Sequence, residues 1–263
     1  MNPSQLFKFL IVVLVFTTSC KSKQSKTSAP SESITLEKLS DSPSYSEAAL
    51  VLKKAESVES ENGKTMAFDF DVQNYTLGAQ TESPNASQLA NSAKGQHIHF
   101  ILNNQPYSAH YAPTFEKNIP NGEHHLVAFL SRSYHESVKN KNSVVVKKLV
   151  VGNQPEEKTE EKTGLNMTAP TLIYSRPKGT YKGQDTERIL LDFFVLNTTL
   201  STEGNKVKVT INDTEFLVTE WSPYVIKGLP KGEVTIQLEL VDAKGQNIAG
   251  PFNSVKRSIT LEE

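Results

Sequence analysis

The sequence predicts an all-β protein made of two β-sandwich modules, and three observations carry that prediction. The ordered-looking stretches are short and rich in strand-forming residues, and no long stretch repeats apolar residues at the i, i+3, i+4, i+7 spacing of a helix. Turn-forming Gly, Pro and Asn residues separate these stretches. The order of motifs in the first half of the chain recurs in the second half.

Length and composition limit the possible classes. A chain of 263 residues is long enough for about two domains. The formal net charge is −1 and lysines and acids are mixed throughout, which argues against a nucleic-acid partner. Cys20 is the only cysteine, so the sequence excludes a disulfide framework and a thiolate metal cluster.

Residues 1–20 have the pattern of an export signal. An apolar core at residues 9–16 is far shorter than the ~20 residues that span a bilayer, and small residues follow it. The ending Thr17–Cys20 resembles the lipobox of bacterial lipoproteins. The resemblance implies cleavage before Cys20, acylation of its thiol and, because Lys21 follows rather than an aspartate, anchoring in the outer membrane. A plain signal peptide with an incidental cysteine is the alternative.

Composition also divides the rest of the chain. Residues 21–44 are rich in Ser, Lys and Pro and poor in apolar residues, which predicts a flexible tether. Residues 153–166 are a second polar run and predict a linker. The predicted sandwich modules are the two segments that remain, 45–152 and 167–263.

Three motifs recur in the same order in both segments. The matching pairs are Asp69–Leu77 with Asp192–Leu200, Gly95–Asn103 with Gly204–Asn212, and Ile119–His124 with Leu229–Val234. A duplicated unit with several short strands predicts a tandem β-sandwich. The Leu-Pro-x-Gly motif at Leu229–Gly232, with alternating apolar residues after it, resembles bacterial immunoglobulin-like and fibronectin III-like modules. The resemblance implies the fold and names no ligand.

The second module serves as a control for the faces of the strand at residues 97–102. Its core-facing residues must be Val207, Val209 and Ile211, because the alternating Lys206 and Lys208 cannot face a core. By correspondence, the predicted core face in the first module comprises Ile98, Phe100 and Leu102, and the outward face comprises His97 and His99.

A two-residue turn at Asn103-Asn104 predicts a hairpin, because asparagine tolerates the positive φ that this turn requires. Closing it sets Phe100 opposite Tyr107 on the inside and His97 opposite His110 on the outside. The same register in the second module sets Val209 opposite Phe216. The strand that starts at Glu123 is expected beside the other edge. Its outward residues would be His125, Val127 and Phe129.

Four histidines are therefore predicted to share one exposed sheet face: His97, His99, His110 and His125. Residues opposite each other have Cβ atoms about 4.5–5.5 Å apart, so their imidazoles can meet one ion. Ligation by imidazole alone favours Zn²⁺ or Cu²⁺ over Ca²⁺ or Mg²⁺. This metal or polar-ligand hypothesis stands beside the plain alternative of a solvated face that carries imidazoles.

The loop Ser131–His135 resembles the Ser-Arg-x-His phosphothreonine pocket of forkhead-associated domains, with one extra residue between Arg132 and His135. The resemblance implies phosphate binding by these two side chains. The upstream Gly-Arg signal of that family is absent, and the segment is short for its larger sandwich. Phe129 and Val127 offer a different possibility, an exposed apolar patch for a protein or glycan partner.

Motifs of common enzymes are absent. The sequence has no Gly-x-Ser-x-Gly elbow, no phosphate-cradling glycine loop and no His-Glu-x-x-His. We therefore predict a non-enzymatic binding or structural lipoprotein, anchored to the cell envelope and facing the periplasm or the surface. The alternatives are a phosphopeptide- or glycan-binding adhesion module, and a metal-dependent hydrolase, which needs a general base beside the histidines.

Overall fold

The structure, a computed structural model, describes residues 33–60, 63–152 and 168–263. The predicted signal peptide at 1–20 with Cys20, the start of the predicted tether and the predicted linker at 153–166 lie outside these ranges. The described residues belong to one compact unit. Among them, no helix combines the length and apolar character needed to cross a membrane.

The first module consists of seven described strands in two antiparallel sheets. After an initial strand β1 (Thr35–Lys38), these are β2 (Ala49–Ser60), β3 (Gly63–Gln73), β4 (His97–Leu102), β5 (Ser108–His110), β6 (Thr114–Asn118), β7 (Gly122–Ser131) and β8 (Val144–Val151). The sheet orders are β2-β3-β6 and β5-β4-β7-β8. A short helix α1 (Asn85–Gln88) and a 3-10 turn (Lys141–Ser143) lie in the loops.

The second module has the same plan. Its strands are β9 (Thr171–Arg176), β10 (Gly179–Lys182), β11 (Ile189–Leu196), β12 (Lys206–Ile211), β13 (Thr214–Val218), β14 (Tyr224–Lys227), β15 (Gly232–Val241) and β16 (Ser254–Glu262), with a 3-10 turn at Gly183–Thr186. The sheets run β1-β14-β11-β9 and β10-β16-β15-β12-β13. The predicted all-β fold of two tandem sandwiches is confirmed.

Each module has its own apolar core between its sheets. In the first, Ile98 and Phe100 are fully buried against residues of β3 and β7, as the alternation on β4 predicts. In the second, Val207, Val209 and Ile211 are fully buried on the matching strand β12. The duplicated pattern therefore assigns the core faces of both strands correctly.

Part of the predicted tether is ordered. Strand β1, inside the 21–44 segment, pairs antiparallel with β14 and becomes the edge strand of the second module. Leu36 packs against the second core, and Leu39 is buried with Leu190 and Val225. The prediction of flexibility is wrong for this stretch, because the edge of β14 supplies hydrogen-bond partners that the composition of the segment does not reveal.

The predicted hairpin register holds in the second module and slips by one residue in the first. Val209 lies opposite Phe216 as predicted, whereas His110 lies opposite Ile98 instead of His97. The Asn103-Asn104 turn does form, with φ values of 50° and 58°. Pro106 follows it and has no N–H for the ladder, and an extra residue is accommodated before β5.

That slip exchanges the two faces of β5. Tyr107, predicted to lie opposite Phe100 on the inside, instead stacks on His99 on the other face of the sheet. His110, predicted outward, turns toward the core side and stacks on Phe115. A one-residue change of register always has this effect, because side chains alternate with period two.

The predicted outward face of β4 and β7 is not in solvent, because the second module covers it. An apolar cluster joins residues of both modules: Ile101, Tyr107, Val127, Phe129, Ile173, Phe194 and Phe252. The rings of Phe129 and Phe194 stack with centroids 5.4 Å apart, and both are buried. The predicted exposed patch of Val127 and Phe129 is therefore wrong; these residues hold the modules together.

Candidate metal-binding site

Three histidines converge at the edge of the contact between the modules. The Nε2 atom of His97 lies 2.9 Å from Nε2 of His99 and 3.1 Å from Nδ1 of His135. All three ring nitrogens lie within 4.8 Å of one another. In the described part of the chain, this is the one group of three or more His, Cys, Asp or Glu residues with metal-site spacing.

Strand β4 supplies two of these rings, because residues two apart share a face. The Nδ1 atom of His97 is 2.8 Å from the carbonyl oxygen of Gly95, so it donates its proton there and Nε2 carries the lone pair. Gly95 has a φ of 83°, and a Cβ on it would lie 2.3 Å from the carbonyl oxygen of Gly78. Only glycine fits at this point of the chain.

His99 is oriented by the second module. Its Nδ1 lies 3.1 Å from Oγ of Ser175 on β9, which leaves Nε2 directed at His97. The ring of Tyr107 stacks on it at a centroid distance of 3.5 Å and an angle of 11°. A hydrogen bond and a stacked ring on the same imidazole fix its position, as outer contacts do around metal ligands.

His135 comes from the turn after β7, and its backbone is left-handed, with a φ of 71°. The turn is closed by hydrogen bonds from Arg132 N to Glu136 O and from His135 N to Arg132 O. In the second module, Asp242–Gln246 forms the same turn, and Gly245, with a φ of 79°, stands where His135 stands. An imidazole thus occupies a position that favours glycine, at a cost of about 1 kcal/mol.

Electrostatics keep these imidazoles neutral. Burial lowers the pKa of His97 to about 4. Burial also lowers the pKa of His99 and of His135, and the charge of Arg176 lowers both further. Neutral rings at pH 7 present lone pairs, which is the form that binds a metal.

Two of the histidines predicted for this cluster lie elsewhere. His110 hydrogen-bonds Oγ of Ser108 at 2.9 Å, and burial together with Lys117 lowers its pKa to about 4. His125 lies near Phe252, with ring centroids 6.3 Å apart. It cannot reach His99, because His99 is opposite Phe129, four residues and about 13 Å further along β7.

Arg132 and Phe129 do not form a ligand site either. Arg132 is buried, forms a 3.0 Å ion pair with Glu136, and donates hydrogen bonds to the carbonyl oxygens of Ser137 and Pro43. Because Arg132 is 5% exposed and its charge is already balanced by Glu136, the predicted phosphate role is wrong for this residue. Phe129 is fully enclosed between the modules. Of the three residues predicted in this region, only His135 reaches a candidate site.

Sequence reasoning missed Ser175 and did not predict that Tyr107 and His135 lie in the cluster. A signal for the covered face was present: residues 126–130 of β7 and 189–195 of β11 are almost continuously apolar, as in strands buried on both faces. Ser175 gives no such signal, because its role depends on contact between modules.

No family model matches the chain, and no curated protein matches it. Among solved structures, it is similar to the fibronectin(III)-like modules of Clostridium thermocellum CbhA, with 12% identity, a TM-score of 0.28, and coverage of 81% of this chain and 94% of that one. It is also similar to the central fibronectin-III array of RIM-binding protein, with 10% identity, a TM-score of 0.25, and coverage of 82% and 70%. A third is Bacteroides ovatus SGBP-B, solved with a mixed-linkage heptasaccharide, with 10% identity, a TM-score of 0.18, and coverage of 66% and 64%. Likenesses this low carry no argument about what the chain does.

Proposed function

We propose that this protein is a non-enzymatic, lipid-anchored binding protein of the cell envelope, and that it binds one transition-metal ion through His97, His99 and His135. The anchor rests on the lipobox-like Thr17–Cys20. The observation that carries the metal site is the convergence of three neutral ring nitrogens within 4.8 Å.

The spacing supports the proposal. Three nitrogens at about 2.0–2.1 Å from one tetrahedral ion lie roughly 3.3 Å from each other. Two of the observed separations are 2.9 and 3.1 Å, a few tenths of an ångström shorter. The single lone pair of His97 Nε2 faces both other rings and cannot accept two good hydrogen bonds, whereas a central ion accepts a lone pair from each ring.

The ligand set and its surroundings favour Zn²⁺ or copper over Ca²⁺ and Mg²⁺, which prefer oxygen. Arg176 and Lys178 are close enough to lower the pKa of all three histidines. The same charges weaken the binding of a divalent cation, and they favour an anion, such as hydroxide or chloride, as the fourth ligand of that cation.

A hydrolase needs a carboxylate or another base beside the ion. The nearest acidic residue in the turn, Glu136, already pairs with Arg132 and accepts a hydrogen bond from Ser42. Because these contacts already occupy the Glu136 carboxylate, it is not placed to act as the base of a hydrolase, and we favour binding over catalysis.

The test is equilibrium dialysis of the purified protein against Zn²⁺, Cu²⁺ and Ca²⁺, with the bound metal quantified. We expect one Zn²⁺ or Cu²⁺ per chain and no Ca²⁺. The double variant His97→Gln/His99→Gln should lose the metal, and the matched control His110→Gln/His125→Gln should retain it. Loss in both doubles, or retention in both, would refute the site.

A further inference from the structure

A second candidate site lies between the modules, in a cleft of about 1060 Å³. The first module contributes its β4–β5 turn, including Asn104, and the second contributes the end of β9, the start of β10 and the first half of β16. Four cationic side chains line it: Arg176, Lys178, Lys256 and Arg257. The lining residues include no Asp or Glu, although the whole chain has a net charge of −1.

Within the part of the chain that the structure describes, these cations lack acidic partners. Across the described ranges, none of the four forms an ion pair with a carboxylate, whereas other lysines of the second module do, such as Lys208 with Glu239. Like charges grouped without counter-charges destabilise a fold. Burial and the charges of Arg176 and Arg257 lower the pKa of Lys178 to about 8, which reflects this crowding.

Two guanidinium groups, one buried and one partly buried, supply part of this charge. Arg176 is 8% exposed, and its Nη1 donates to the hydroxyl of Tyr181. Arg257 Nη2 donates to the carbonyl oxygen of Asn104. Among the described residues, Arg176 Nε and Arg257 Nη1 have no hydrogen-bond partner, but both atoms are enclosed and cannot reach a ligand in the cleft. The two groups therefore offer such a ligand positive charge that no carboxylate of the described residues balances.

We infer that this cleft binds a multivalent oxyanion, a ligand with at least two phosphate or carboxylate groups. Guanidinium groups pair with such groups through parallel N–H···O bonds, and the lysines add charge. The neutral lining, which includes Gln105, Thr180 and Ser254, can bond the hydroxyls of an acidic saccharide. Because Asn104 and Arg257 come from different modules, the ligand would also strengthen the contact between them.

This site shares Arg176 and Lys178 with the surroundings of the metal site, but it does not require a bound ion. Arg257 and Lys256 lie on β16 and contact none of the three histidines in the structure. Binding is therefore measured on protein freed of metal with the neutral chelator 1,10-phenanthroline, so that failure of the metal function leaves the outcome unchanged. EDTA is avoided because it is itself a multivalent carboxylate and would compete for the cleft.

The experiment is calorimetric titration of the full chain with three probes: inorganic pyrophosphate, trigalacturonate and neutral maltotriose. We expect one or both anions to bind and maltotriose not to bind. Binding of pyrophosphate alone identifies phosphate as the recognised group, and binding of trigalacturonate alone identifies carboxylate. Failure of both anions at about 1 mM would overturn the inference.

Variants locate the binding. Arg257→Gln should weaken it about tenfold or more, since a hydrogen bond to a charged group contributes about 1.5–3 kcal/mol. Lys256→Gln, at an exposed position, should weaken it without affecting folding. The control Lys244→Gln removes one positive charge from an exposed turn of the same module and should leave affinity within about twofold. Equal losses in Lys256→Gln and Lys244→Gln would mean general attraction of anions and would contradict the cleft.

Discussion

Replacing His135 by glycine separates the metal hypothesis from a structural role for the imidazole. The residue has a φ of 71°, and glycine occupies the same position of the second module with a φ of 79°. Glycine should relieve about 1 kcal/mol of backbone strain. It also removes the contacts of a partly buried ring and adds unfolded-state entropy worth about 0.5–1 kcal/mol. These effects oppose each other, so metal-free stability should change by no more than about 1 kcal/mol.

The metal response should change much more. At a Zn²⁺ concentration of about 100 times Kd, binding stabilises the native state by about 2.7 kcal/mol. For a unit of this size, 1 kcal/mol shifts Tm by about 2–4 °C, so the wild-type protein should gain about 5–10 °C. With two ligands left, His135→Gly should gain less than about 2 °C under the same conditions.

The assay is thermal unfolding followed by circular dichroism, with EDTA and then with Zn²⁺, and with His125→Gln as the control. His125→Gln should keep the wild-type shift, because His125 lies outside the cluster. A wild-type shift in His135→Gly would show that the ion binds elsewhere. A large loss of metal-free stability in that variant would show that the imidazole is structural.

Three further predictions concern the contact between the modules and its histidines. Phe129→Ala should destabilise the protein by about 3–5 kcal/mol in urea unfolding, because the ring is fully enclosed. The control Leu217→Ala, at a site 62% exposed, should change stability by less than about 0.5 kcal/mol. Similar losses in the two variants would contradict the covered face. Asp192 is fully buried and accepts hydrogen bonds from Lys139 and Ser137 of the first module. Asp192→Ala should therefore lower the free energy of unfolding by about 3–5 kcal/mol in the same assay. The control Lys182→Ala, in an exposed ion pair, should lower it by at most about 1 kcal/mol. A small loss in Asp192→Ala would show that the buried pair contributes little. Burial depresses the pKa of His97 and of His110 from 6.5 to about 4, so the unfolded chain binds more protons between these values. The unfolding free energy of the metal-free protein should therefore fall as pH drops from 7 toward 4, by up to about 2 kcal/mol at pH 5 for His97 and by less for the more solvent-screened His110. A flat profile would contradict their burial.

The fold is predictable from the sequence because the alternation of apolar residues along a strand is a local signal and occurs in both modules. Alternation on β4 and β12 identifies core faces, and the second module confirms the assignment, since lysines alternate with Val207 and Val209. The same alternation correctly sets His97 and His99 on one face. These inferences needed only the period of a strand.

The predicted site is wrong where the pairing register, or a contact with a distant segment, determines the position of a side chain. Pro106 interrupts regular pairing after the turn, and the resulting slip moves His110 to the opposite face. The prediction of a solvated outward face is wrong, because β7 and β11 are apolar on both faces. His135 joins the cluster only because a turn shaped for glycine aims its ring at His97. The slip and the direction of the His135 ring are not visible in residue spacing, whereas the apolar runs of β7 and β11 are a sequence signal for the covered face.

The contact between the modules could not be predicted from either module alone. Ser175 orients His99, and Arg176 and Arg257 meet Asn104, across a surface that exists only when both sandwiches are packed together. Strand β1 adds to this assembly by pairing with β14 of the second module. Residues in a polar, proline-containing segment give little indication of such pairing.

X-ray absorption spectroscopy of the Zn²⁺- or Cu²⁺-loaded protein identifies the ligands of the ion. We expect three imidazole nitrogens at about 2.0–2.1 Å from the metal, and a reduced imidazole signal in His135→Gly. A first shell of oxygen atoms, or a spectrum that is identical in the variant, would contradict the proposed site.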